Sequence, residues 1–166
     1  MASTYSFDVT TGCDLQEVDN AVNQAQKEVA QRFDFKGSHV LIDFKRADSV
    51  IKYEAEGEMR MDALLDVLRA RLIKRGISVK NLDVGEPVPG SHEILRNEIK
   101  LKMALDSETA KKVSAAVRDA KLKKVTANIQ GEQVRVQSPD KDALQDAIAL
   151  LRKEDFGVEL QFGNFR

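Results

Sequence analysis

The stretch KVTANIQGEQVRV, residues 124–136, reads as two short strands around a turn. Val125, Ala127 and Ile129 alternate with Thr126, Asn128 and Gln130. After Gly131-Glu132 the alternation resumes, with Val134 and Val136 set against Gln133, Arg135 and Gln137. Period-two alternation marks a half-buried strand, and a glycine at the break suits a tight hairpin turn. Helical periodicity flanks the hairpin on both sides, and a strand-like run lies beyond each helix. The order strand, helix, hairpin, helix, strand recurs in the N-terminal half of the chain.

In that half, Tyr5, Phe7 and Val9 alternate with Ser6, Asp8 and Thr10, which predicts a strand over 5–11. Asp14 followed by Glu17 has the spacing of a capping box, and Leu15, Val18, Val22, Ala25 and Val29 fall on one helical face. Residues 39–46 and 50–56 predict a first hairpin, with Val40, Ile42 and Phe44 on one face of its first strand and Ile51, Tyr53 and Ala55 on one face of its second. A second helix is expected over 59–75, with Met61, Leu64, Leu65, Leu68 and Leu72 inward and Gly76 as its stop, and then a strand over 79–84. GEPVPG, residues 85–90, has the composition of a linker. Beyond it come a strand over 92–103, a helix capped by Asp106 with Ala110, Val113, Val117 and Ala120 inward, and the hairpin. A helix opening at Ser138-Pro139 with Leu144, Ala147, Ile148 and Leu151 inward follows, and a last strand VELQF over 158–162. Each half is therefore expected to be a ferredoxin-like βαββαβ unit of the α+β class. Each has a four-stranded antiparallel sheet with two helices on one face and the other face open. The boundaries are 1–88 and 89–166.

The 166 residues carry 42% hydrophobic and 32% charged side chains and a net charge of −1. That composition fits a packed globular protein, and any nucleic-acid contact must come from a local patch, because dedicated binders are far more basic. No apolar run approaches the roughly 20 residues of a membrane helix. MASTYSFDV lacks the charged and apolar regions of a signal peptide, and Cys13 is the single cysteine, so a cytoplasmic setting is expected.

Several blocks together resemble the bacterial YajQ family: SFDV, DLQEVDNAV, QRFDFKG, LLDVLRARLIKRGI, KLKKVTANIQGEQVRV, DALQDAIALLR and the terminal LQFGNFR. They span essentially the whole chain. The resemblance implies two tandem ferredoxin-like domains whose N-terminal strands are exchanged, which changes the division to about 12–104 and 1–11 plus 105–166. It also implies a cytosolic nucleotide-binding protein, with RNA and cyclic di-GMP as ligands, an influence on transcription and no enzymatic activity. Two segments depart from the family pattern. QSPDKDAL, residues 137–144, stands where a Gly-Lys pair and more basic residues are usual, and Thr126 and Asn128 stand where Gln and Ala are expected.

For a site, the outward positions of the second half are Lys100, Lys102, Asn128, Gln130, Gln133, Arg135 and Gln161, which can donate to phosphates and read base edges. Lys121, Lys123 and Lys124 lead directly into the hairpin and add charge at a sheet edge. The first half offers Asp43, Lys45, Lys52, Glu54 and Glu56, a face of mixed sign and poorly suited to a polyanion. The expected nucleotide site is therefore Lys100, Lys102, Lys121, Lys123, Lys124, Asn128, Gln130 and Arg135. Solvation of an exposed sheet accounts for such residues equally well. Helix C-termini favour cations, which explains Lys74 and Arg75 without a ligand. No aromatic residue lies on the hairpin of the second half, unlike an RNA-recognition motif, which stacks bases on rings.

Enzyme motifs are absent. His39 and His92 have no partner at metal-ligand spacing, Cys13 has no visible base, and neither GxxxxGK[ST] nor GxGxxG occurs. No metal and no cofactor is expected. Two readings follow: a non-enzymatic binder of RNA or a nucleotide, and a protein-interaction adaptor of a transcription regulator with incidental nucleotide binding.

Overall fold

The computed structural model describes residues 4–166; Met1, Ala2 and Ser3, where the stretch read for a signal peptide begins, lie outside the described residues. The chain forms two compact units. One is continuous, Cys13–Lys102; the other is composite, made of residues up to Gly12 together with Met103–Arg166.

The continuous unit contains α1 (Leu15–Gln31), β2 (Val40–Lys45), β3 (Val50–Glu56), α2 (Gly57–Lys74), β4 (Leu82–Val84), β5 (Val88–Pro89) and β6 (Ile94–Leu101). Its antiparallel sheet has the order β2-β3-β6-β4, with β5 also paired to β6. The composite unit contains β1 (Tyr5–Thr10), α3 (Ser107–Asp119), β7 (Thr126–Gln130), β8 (Gln133–Ser138), α4 (Lys141–Lys153) and β9 (Gln161–Gly163), and its sheet runs β7-β8-β1-β9. Both sheets are ferredoxin-like, and the first strand of each comes from the other half of the sequence: β1 pairs with β8 and β9, and β6 pairs with β3 and β4. The strands are therefore exchanged. Periodicity alone cannot show this, because alternation within a strand is the same whichever sheet receives it.

Local chemistry explains the elements. Asp14 caps α1 by accepting from the Gln16 and Glu17 backbone N–H groups at 3.0 and 3.4 Å. Glu17 accepts from Asn20 and Arg75. Asp14→Ala is expected to cost about 1 kcal/mol, the usual value of an N-cap, readable as a shift in the denaturation midpoint with the binding properties unchanged. Val18, Ala21, Val22, Ala25 and Val29 are the buried stripe of α1; Met61, Leu64, Val67, Leu68 and Leu72 are that of α2. Leu65, expected inward, is half-buried, and Val67 takes the inward place.

Several boundaries differ from the sequence expectation. Residues 79–81 form a short 3-10 turn capped by Ser78, so the strand expected over 79–84 begins at Leu82. Ser138-Pro139 does not open α4; Asp140 does, accepting from the Asp142 N–H at 2.9 Å, while the Ser138 hydroxyl accepts from Asp140 N–H. Ala120, past the end of α3, is exposed. The last strand shifts to 161–163 because Val158 is drawn into the core and Thr11 Oγ1 donates to the Glu159 carbonyl at 2.6 Å. GEPVPG is not a linker between units. Its Gly85 and Gly90 N–H groups donate to the Glu98 and Ile94 carbonyls, and β5 within it pairs with β6, so it is an arm of the continuous sheet.

Candidate functional site

Each sheet keeps one face for its helices and leaves the other open, and cross-strand register fixes what shares each open face. In the composite unit the open face is a polar grid. One row is Asn128, Arg135, Asp8 and Gly163; its neighbour holds Gln130 and Gln133 with Thr10 opposite Gln161. Asp8 is the centre of this face and only 4% exposed. Arg135 donates to it through Nε at 2.9 Å and Nη2 at 3.4 Å, Asn164 through Nδ2 at 2.6 Å and Gln133 through Nε2 at 3.4 Å. The Arg135 guanidinium, with these donors, holds the Asp8 carboxyl below its ordinary value in spite of burial. Arg135, expected to meet phosphate, is thus already committed to a carboxylate. Asp8 reaches it only through the exchanged strand β1.

The same exchange removes Lys100 from this face. Lys100 lies on β6, in the continuous sheet, and Lys102 follows β6 with its backbone bonded to Asn81. Asn128, Gln130 and Arg135 stay together, and Lys121, Lys123 and Lys124 are exposed in the loop entering β7, with Lys121 and Lys124 at positive φ. The eight expected site residues therefore divide between two units: two on the continuous unit, six on the composite.

The open face of the continuous unit carries a trough of about 570 Å³. Its rows again follow register. Leu41, Glu54, Arg96 and Val88 form one; Asp43, Lys52 and Glu98 the next; Lys45, Val50, Lys100 and Asp83 the third. Charges alternate along and across the strands. Lys45, Lys52 and Lys100 surround Val50, a short aliphatic side chain. Lys45 is held by Asp43 at 2.8 Å. None of the ion pairs among the described residues involves Lys52, Arg96 or Lys100. At the far row, Leu41 and Val88 are 44% and 60% exposed and bracket Glu54 and Arg96. The arm that walls the trough is pinned by Asn97, whose Nδ2 donates to the Gly85 carbonyl at 2.8 Å and to the Tyr53 hydroxyl at 3.0 Å. A Cβ at Gly85 would stand 2.8 Å from Asn97 Oδ1, so a larger residue there would displace the Asn97 side chain that pins the arm.

Sequence reasoning missed Arg96, Glu98 and Asp83 as members of this face. The signal was present, since Arg96, Glu98 and Lys100 alternate on β6, but it counts only once β6 is placed beside β3. The basic run on α2 has a structural use: Arg71 donates to Glu28 Oε1 at 2.9 and 2.6 Å, and Arg75 reaches Glu17 and Gln24, tying α2 to α1. Burial pushes the Cys13 thiol up, away from thiolate chemistry. Among the described residues no group of three His, Cys, Asp or Glu side chains is placed to hold a metal ion, and no helix is long and apolar enough to cross a membrane.

Two ferredoxin-like units with open, polar sheet faces make a scaffold for binding a small or extended polar ligand. The chain belongs to the family of YajQ-like nucleotide-binding proteins, whose model matches residues 5–166. It is 45% identical over 166 residues to a nucleotide-binding protein of Chloroherpeton thalassium, covering all of both chains. It is 48% identical over 161 residues to one from Saccharopolyspora erythraea, covering 97% of this chain and 98% of the other. A nucleotide-binding protein of Thermobifida fusca is 45% identical over the full length of both.

Proposed function

We propose that the chain is a non-catalytic receptor for a small guanine nucleotide, of which cyclic di-GMP is one, held in the trough of the continuous unit. The observation that carries this reading is that three cations outside any ion pair, Lys52, Lys100 and Arg96, share one face with the Glu54 carboxylate, which lies in register with Arg96. Lys52 and Lys100 suit phosphate oxygens. Arg96 suits O6 and N7 of guanine, and Glu54 accepts from its amino edge. Leu41 and Val88 supply the apolar flanks that the base needs in the absence of rings. The rows lie two residues apart along each strand, so the first and third are about 13 Å apart, a span that separates phosphate from base. Four cations among five carboxylates disfavour a long polyanion. The reading therefore favours a small nucleotide over RNA.

In this reading the protein works in the cytoplasm, and a transcription regulator senses its loaded state. The adaptor reading draws support from Phe33 and Met59, 88% and 87% exposed on the continuous unit, where Arg60 Nε donates to the Asp34 carbonyl.

Calorimetric titration of the full chain against cyclic di-GMP, GTP, ATP and a short single-stranded RNA, at low and moderate salt, tests the proposal. Saturable binding of a guanine nucleotide with a shallow salt dependence is expected. RNA binding that falls steeply with salt would instead assign function to a phosphate-tracking surface such as the Lys121–Lys124 loop. No binding, with one stoichiometric protein recovered after nuclease treatment, would favour the adaptor.

A further inference from the structure

A sheet edge offers unpaired backbone groups to any passing strand, and proteins blunt such edges with charge, proline, bulges or brevity. Three of the four sheet ends here are blunted. β2 carries Asp43 and Lys45, and Gln26 Nε2 of α1 donates to its Ile42 carbonyl at 2.9 Å. β4 is three residues long, and the edge at β9 is bulged at Asn164, with φ of 53°, before Arg166 pairs with Ser6 of β1 through both backbone groups. β7 differs. Its sequence TANIQ is five residues long, with neither charge nor proline. Its register with β8 is regular, and Ile129 is 44% exposed although it points to the core side opposite Val134.

The hairpin geometry shows which groups this edge presents. A two-residue turn, Gly131-Glu132, joins Gln130 to Gln133, so these two form the hydrogen-bonded pair that closes the hairpin. Hydrogen-bonded and non-hydrogen-bonded pairs alternate along an antiparallel ladder. Asn128 therefore bonds inward to β8, and Ala127 and Ile129 direct their N–H and C=O groups outward.

We infer that β7 is a self-association edge, at which two copies of the chain pair antiparallel about a two-fold axis through Asn128. The register follows from the symmetry. Ala127 lies opposite Ile129 of the second copy and Ile129 opposite its Ala127, so the four outward backbone groups of each strand meet their complements. The large exposed Ile129 lies over a small side chain in both directions. Thr126 lies opposite Gln130, and Asn128 opposite its own counterpart. Antiparallel pairing also brings the loop entering one β7, which carries Lys124, to the hairpin turn that leaves the other, which carries Glu132, so opposite charges meet at each end of the seam. The two four-stranded sheets then become one continuous sheet. So short a seam buries much less than a standard interface, so the association is weak and concentration-dependent.

Sedimentation equilibrium of the full chain, up to roughly millimolar concentration where such weak interfaces populate, is the test. The mass is expected to rise from 18.5 kDa toward twice that value. I129K, which puts a charge on the seam, is expected to hold the chain monomeric. K124E and E132K each set like charges opposite one another twice, and each is expected to weaken association about tenfold. The double variant K124E/E132K restores the match with its sense reversed and is expected to return to within about threefold of the parent. Circular dichroism confirms that each variant is folded, and the charge cycle stands even if I129K is not. A monomer at every concentration would overturn the inference. So would self-association indifferent to I129K, or a double variant no better than the singles.

Discussion

Asp8→Ala is expected to destabilise the composite unit by about 3 kcal/mol, the low end for breaking a buried pair by deleting one partner. Asp8 lies on a central strand, almost wholly covered, and its two oxygens accept from Arg135, Asn164 and Gln133. The covering is done by these three side chains rather than by depth in the core. Removing the carboxylate therefore strands a guanidinium and two amides over the middle of the sheet, and only part of the loss is recovered by water, since the Arg135 side chain is 21% exposed. A loss of this size lowers the melting transition of a unit this small by more than about 10 °C. Asp8→Asn keeps the shape and is expected to lose less. The pH dependence separates charge from shape. The native carboxyl titrates below its ordinary 3.8, so in the unfolded chain it takes up a proton first as acid is added. The stabilisation is fully present above that unfolded value and disappears as pH falls through the lowered native one. The stability gap between the parent and Asp8→Asn should be constant at neutral pH and shrink below about pH 4. A gap that does not change with pH would mean that Asp8 acts by packing.

Asp8 also shows where reading the sequence stops. Its strand was legible, since Tyr5, Phe7 and Val9 alternate with Ser6, Asp8 and Thr10, and such alternation predicts a half-buried strand. That Phe7 and Val9 enter the core of a cluster built from residues beyond 103 is a matter of long-range pairing, to which local periodicity is blind. The hairpins were readable for the opposite reason: their partners are neighbours in sequence, and a glycine turn or a short 3-10 turn sets their register. Caps were partly readable. Asp14 and Asp106 do what their positions suggest, whereas the Ser138 hydroxyl is taken up by the Asp140 N–H ahead of the helix and Asp140 accepts from the first turn instead.

The open faces depended on the same missing step. With β6 assigned to the second half, Lys100 and Arg135 fall on one expected surface, and the first half is left with a face of mixed charge. Placing β6 beside β3 sets Arg96 next to Glu54 and Lys100 next to Val50, and a trough results. Placing β1 beside β8 sets Asp8 against Arg135 and neutralises the one cation of the composite strands' open face. A cut between residues 88 and 89 would separate β3 from β6 and β1 from β8, so neither half of the sequence contains the strands of a whole sheet.

The double variant K52A/K100A is expected to weaken guanine-nucleotide binding by about 100-fold. A hydrogen bond to a charged group is worth about 1.5–3 kcal/mol, and the low end applies here because both lysines are exposed. Each single variant should lose about tenfold by the same measure, and neither should change the melting temperature, since neither ammonium closes an ion pair in the unliganded fold. E54Q separates base from phosphate. It keeps the side-chain shape but replaces half of the acceptor with a donor, so the preference for guanine over adenine is expected to fall by about tenfold, within the range of one base contact, while the salt dependence stays the same. R96K should lose the guanine preference as well, because an ammonium cannot span O6 and N7 as a guanidinium does. Titration of the five variants against GTP and ATP reads all of this. The opposing result is equally definite. If K52A/K100A binds as the parent does and N128A/Q133A does not, the ligand lies on the amide grid of the composite unit, and the cations of the trough serve only to solvate its face.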